Sequence, residues 1–131
     1  MADTVSSVKA YESPRRGEYV YRYTNRSDGT GESAATKIDV SALTNAKGAA
    51  GTEVKIDRIE WSVSGFDYVL LYWDHASDIT IGVLNGSGVM DFSYFGGFQD
   101  PGAGGTGDVL ATTNGGAAGS SYDITIYFTV L

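Results

Sequence analysis

Cysteine is absent from the 131 residues. That absence removes disulfide frameworks, thiolate metal sites and thiol nucleophiles together, and it suits a protein made in a reducing cytoplasm. No run approaches the roughly 18 consecutive apolar residues of a membrane-spanning helix. The opening Met1-Ala2-Asp3-Thr4-Val5-Ser6-Ser7 has neither a basic nor an apolar stretch, so no signal peptide is expected and the sequons at Asn25 and Asn85 read as chance matches in turns. Basic residues are missing from the whole chain beyond Arg58. Up to that point nine bases meet eight acids, a net of +1; from Ile59 onward eight acids stand alone, which brings the chain to −7. An acidic half repels phosphate, so nucleic acid is not an expected partner. The split suggests either a basic partner surface or opposed halves docking between subunits, unless turn-forming Asp residues alone produce it.

Catalytic patterns are equally scarce. The one histidine, His75, lies in Trp73-Asp74-His75-Ala76-Ser77-Asp78, between two strand-like runs, and reads as a surface turn residue. No Gly-x-Ser-x-Gly elbow accompanies it. Gly102 to Gly107 matches the dinucleotide fingerprint literally, but a strand-like segment follows it where the fingerprint needs a helix. Asp67, Asp74, Asp78, Asp91 and Asp100 flank predicted turns and suit side-chain to backbone capping. A calcium loop around Asp28-Gly29-Thr30-Gly31-Glu32 lacks the EF-hand spacing. No enzyme activity, metal or cofactor is expected.

Glycine, by contrast, occurs 18 times against two prolines, and it separates short runs of alternating apolar residues. These runs are Glu18 to Thr24, Lys37 to Leu43, Glu53 to Ser64, Tyr68 to Trp73, Ile79 to Val83, Val89 to Tyr94, Asp108 to Thr112 and Tyr122 to Val130. In the third, Val54 and Ile56 alternate and the phase then slips to Ile59, Trp61 and Val63, which predicts a β-bulge at Asp57-Arg58. Ser41 to Gly51 could form one helical turn. About eight strands separated by turns predict an all-β, two-sheet sandwich, with a jelly roll as the leading topology. Trp61 and the Tyr122, Ile124, Ile126, Phe128 face are expected in its core. Residues 1–17 scatter Val5, Val8 and Tyr11 among polar residues before Ser13-Pro14-Arg15-Arg16-Gly17, and read as an N-terminal extended arm outside a domain of residues 18–131.

The candidate interface residues follow from type and setting. Tyr11, Arg15 and Arg16 are good contact residues in the arm. Phe92, Tyr94, Phe95 and Phe98 gather within seven residues ahead of a glycine-rich loop, where aromatics serve as anchors or close the end of a sandwich.

Several ordered blocks carry a resemblance. They are Thr24-Asn25-Arg26-Ser27-Asp28-Gly29-Thr30-Gly31-Glu32-Ser33, Lys37-Ile38-Asp39-Val40-Ser41-Ala42-Leu43, Ile59-Glu60-Trp61-Ser62-Val63-Ser64-Gly65, Leu71-Tyr72-Trp73-Asp74, Phe95-Gly96-Gly97-Phe98, Gly105-Thr106-Gly107-Asp108 and Ser121-Tyr122-Asp123-Ile124-Thr125-Ile126. From about residue 18 to the end they resemble small virion structural proteins of tailed bacteriophages. The resemblance implies a capsid decoration (cement) protein, a homotrimeric β-sandwich on the exterior of a virion shell built from the major capsid protein. It offers no catalytic residues. A tail, neck or baseplate component and a carbohydrate-binding module are the alternatives.

Overall fold

The computed structural model describes residues 3–102 and 104–131. Among the described residues ten strands run in the order β1 (Thr4–Ser13), β2 (Glu18–Asp28), β3 (Ala35–Ile38), β4 (Val54–Ser64), β5 (Tyr68–Trp73), β6 (Ile79–Leu84), β7 (Ser87–Asp91), β8 (Phe98–Gln99), β9 (Val109–Asn114) and β10 (Ala118–Val130). They form two antiparallel sheets, β1-β2-β10-β4-β7 with β8 also on β4, and β3-β9-β5-β6. The fold is an all-β sandwich. Where a helical turn was expected after Ser41, a 3-10 turn at Val40–Ala42 leads into a short bridge between Thr44 and Ala50.

Setting β1 and the two-residue β8 aside, the remaining strands pair in a nested way. β2 pairs with β10, β3 with β9, β4 with β7 and β5 with β6. The first of the eight thus lies beside the last, and the middle two form a hairpin.

Period-two patterning explains which face is inside. On β10, Tyr122, Ile124, Ile126, Phe128 and Val130 are all nearly inaccessible, as alternation requires. They face Val69, Leu71 and Trp73 of the second sheet across one core. Phe128 stacks on Tyr19 at a centroid separation of 5.6 Å. Trp61 packs at the margin of this core, half-buried. Its indole N–H donates to the Asn85 carbonyl at 3.0 Å. Gly88 is its cross-strand neighbour, and a Cβ there would stand 2.5 Å from the indole ring. The bulge falls where the sequence placed it: Tyr127 pairs with Arg58 and Phe128 with Ile56, leaving Asp57 as the extra residue.

Residues 3–17 depart from expectation. They are not an unpaired arm, because Thr4–Ser13 pairs along its length with β2. Pro14 sits second in a tight turn in which Arg16 N–H donates to Ser13 O at 3.0 Å, a position that suits its fixed φ. Gly17 then takes φ +67°. The strand escaped detection because almost all of its side chains are exposed. With nothing to bury, its apolar residues had no reason to alternate, and its pairing rests on backbone hydrogen bonds. A register shift between Lys9 and Tyr11 further breaks the period.

Candidate functional site

Folding undoes the charge split along the chain in part. β10 lies between β2 and β4, so late acids meet early bases. Arg22 makes a two-pronged contact with Asp123 at 3.0 and 2.5 Å, while Arg58 meets Glu60 at 2.9 Å and Asp91 at 3.4 Å. These exposed pairs each contribute little stability, yet they set opposite charges side by side on the outer face of the larger sheet.

The aromatic loop divides by burial. A 3-10 turn at Ser93–Phe95 follows β7. Phe92 and Phe98 pack beneath it at 5.3 Å between centroids, and Phe98 meets the Trp73 ring edge-on at 5.9 Å. Asp91 anchors the turn by accepting the Ser93 N–H at 2.9 Å, and its carboxyl is held below the usual range, first by the Ser93 hydroxyl and then by that amide. Above this base, Tyr94 is 88% and Phe95 56% exposed, in edge-on contact at 5.0 Å. Two rings support the loop and two face solvent.

Tyr11, Arg15 and Arg16 lie at one end of the β1-β2 hairpin, all exposed. Tyr11 pairs with Val20, which pairs on its other side with Tyr127. One row along, Glu18 pairs with Thr129, whose hydroxyl donates to the Asp57 carboxylate at 3.0 Å. Tyr11, Glu18, Val20, Asp57 and Tyr127 therefore line an open cleft of about 590 Å³ on the outer face of the larger sheet. Sequence reasoning missed Glu18, Asp57 and Tyr127, because only the cross-strand register brings them beside Tyr11. Burial pushes the Asp57 carboxyl up, a tendency that the Thr129 bond and Lys55 oppose and Glu18 and Asp91 reinforce. The two candidate segments flank one bulge. The Asp57 carbonyl accepts the Phe92 N–H at 2.8 Å, while its carboxylate lines the cleft.

Two other sequence candidates resolve differently. His75 is not a surface turn residue, since its side chain is 7% exposed and its Nε2 meets the Asp100 carboxylate, itself 8% exposed. The contact fastens the 74–78 turn to the glycine-rich loop, and Thr106 adds a bond to Asp74 at 2.9 Å. In that loop Ala103 lies outside the described residues, and β9 rather than a helix follows it. Around Asp28 to Glu32 the loop turns amide donors inward. Gly31 N–H and Asp28 N–H donate to Asp3 at 3.1 and 3.2 Å, and Ser27 and Asn25 add side-chain bonds to the same carboxylate at 2.9 and 3.0 Å. Such a concavity holds an anion, and Asp3 supplies it. Among the described residues no group of three or more His, Asp or Glu is placed to hold a metal ion.

Comparison with protein-family models, with curated proteins and with solved structures returns no match.

Proposed function

We propose that this chain is a virion structural protein of a tailed bacteriophage, a decoration or cement protein that binds the major capsid protein on the outside of the assembled shell as a homotrimer. Its work is associative and no reaction is catalysed. One observation carries the reading: Tyr94 and Phe95 stand exposed on a turn braced by Phe92, Phe98 and Asp91. Exposed aromatics on a rigid support are typical interface anchors, because little side-chain entropy is lost when they dock. The nested strand pairing supports the reading from another side, since we take it as a jelly roll, an arrangement that viral capsid and lectin domains use. The block resemblance of residues 18–131 points to the same role.

The test is occupancy. Shells lacking this protein are incubated with wild type and with a Tyr94→Ala/Phe95→Ala variant, then pelleted. Loss of two anchors at about 2 kcal/mol each should reduce bound copies from near saturation to a small fraction. Failure of wild type to bind shells sinks the proposal. A wild-type copy number of about three to twelve per particle would favour a tail or neck position. Glycan binding by the isolated domain would favour a lectin.

A further inference from the structure

We propose that copies of this chain associate by inserting the Arg15-Arg16 turn of one into the Tyr11-Glu18-Asp57-Tyr127 cleft of another. The inference names the self-contact that the homotrimer proposed above would use, but it does not depend on shell binding. Two complementary features lie side by side on one molecule and neither is used within it. Among the described residues, no ion pair or side-chain hydrogen bond involves Arg15 or Arg16, and the turn that presents them is held by two backbone bonds at 3.0 and 3.2 Å. The same holds for the Glu18 carboxylate, half-buried on the cleft wall.

The cleft suits a guanidinium. Tyr11 and Tyr127 stand one strand to either side of Val20, so their backbones are about 9–10 Å apart. A planar cation can enter over Val20 with an aromatic face beside it. Glu18 and Asp57 sit on either side of Thr129 at one end of this slot, offering the carboxylates that an Arg fork grips in two-pronged fashion. Asp57 has a hydroxyl donor at 3.0 Å and feels the charge of Lys55, but among the described residues no ion pair involves it, so a guanidinium from outside would add the direct contact that Lys55 does not make.

The occupant is a second copy for a geometric reason. The turn follows Tyr11 and immediately precedes Glu18 in the chain, so each copy presents a donor and an acceptor side by side. In a closed ring every copy then gives one basic turn and receives one, leaving none unpaired. An unrelated basic partner would fill the cleft and leave Arg15 and Arg16 idle.

Charge exchange tests this on the purified full chain, with mass read by light scattering across a concentration series. Wild type should be oligomeric, and its association should weaken as salt rises. The turn variant Arg15→Glu/Arg16→Glu should associate at least tenfold more weakly, and so should the cleft variant Glu18→Lys/Asp57→Lys. Placing all four changes in one chain restores opposite charges at every contact, so the oligomer should return. Circular dichroism checks folding. If the Asp57 change unfolds the domain, Glu18→Lys alone replaces the cleft variant, because Glu18 makes no side-chain bond of its own. A monomeric wild type overturns the inference, as does a four-fold variant no more associated than its halves. Shell occupancy is scored separately, so loss of self-association with intact shell binding would refute this contact alone.

Discussion

Replacing Asp3 by Asn would show what holds the N-terminal strand. Asp3 accepts four hydrogen bonds, from Asn25 and Ser27 side chains at 3.0 and 2.9 Å and from Asp28 and Gly31 amides at 3.2 and 3.1 Å. Asn25 and Ser27 are 1% and 7% exposed, so water does not readily replace the lost acceptor. The Asn side chain keeps one oxygen and brings an NH₂ that faces a donor wherever it turns. With its oxygen in the Oδ1 place it keeps the Ser27, Asp28 and Gly31 bonds in weaker, neutral form, while the Asn25 bond to a charged acceptor is lost, at about 1.5–3 kcal/mol before relaxation. With partial rehydration at this chain end, a cost of about 2–4 kcal/mol is expected. Part of it should appear as local opening, because the side chains of β1 bury almost nothing. Hydrogen exchange at Val5 to Lys9 should therefore accelerate more than exchange in β10. The pH dependence follows from the sign of the shift. Burial pushes the Asp3 carboxyl up, but bonds from Asn25, Ser27, Gly31 and Asp28 outweigh it and hold the group below 3.8. A depressed acid stabilises the fold above its unfolded value, and that contribution disappears as pH falls through the lower folded value. The stability gap between wild type and Asp3→Asn should be full at neutral pH and close only below 3.8. Urea titrations at several pH values measure it. A gap below about 0.5 kcal/mol at pH 7, within the range of ordinary surface changes, would mean that Asp3 is not the clasp.

Three further outcomes are expected. Phe128→Ala, at a site 1% exposed and stacked on Tyr19 at 5.6 Å, should cost about 3–5 kcal/mol in chemical denaturation; under 1 kcal/mol would refute the core assignment. His75→Ala leaves the Asp100 carboxylate buried at 8% exposure without its partner, so a loss of about 1–3 kcal/mol is expected, and no loss would mean that the pair is incidental. Tyr23→Phe removes a buried hydroxyl that has no hydrogen-bond partner among the described residues and whose ionisation burial already pushes far up; stability should be unchanged or rise by about 1 kcal/mol, and a clear loss would show that the hydroxyl is bonded after all.

The fold was legible wherever burial imposed a period. The run Tyr122 to Val130 alternates because one face meets the core, and the phase slip after Ile56 marks a residue that the ladder skips. Tyr68–Trp73 appeared with both ends correct, since its apolar run stops where the core stops. Strand β1 left no such trace, because its pairing uses backbone groups that every residue carries. The two-residue β8 is too short to establish a period at all.

The candidate site was half legible for a related reason. Residue type pointed to Phe92, Tyr94, Phe95 and Phe98, but only packing separates supports from anchors. Phe98 pairs opposite Ile56 and so turns toward Trp73, whereas Tyr94 and Phe95 lie beyond the ladder and stay largely exposed, Phe95 resting by one edge contact on Phe92. The cleft depends on register still more strongly. Tyr11 and Tyr127 are distant in sequence and meet only because Val20 pairs with both. The bulge at Asp57 then has two consequences. It returns Ile59 to the core face after Ile56, and it leaves one carboxylate over Thr129 on the outer surface with its backbone carbonyl tied to Phe92. A stagger that the core requires thus fixes the aromatic turn and the acidic cleft relative to each other. If the cleft receives a second copy and the turn receives the shell, one bulge sets the angle between the two contacts, and restoring a regular ladder by deleting Asp57 should impair both while leaving the inner face of β10 in place.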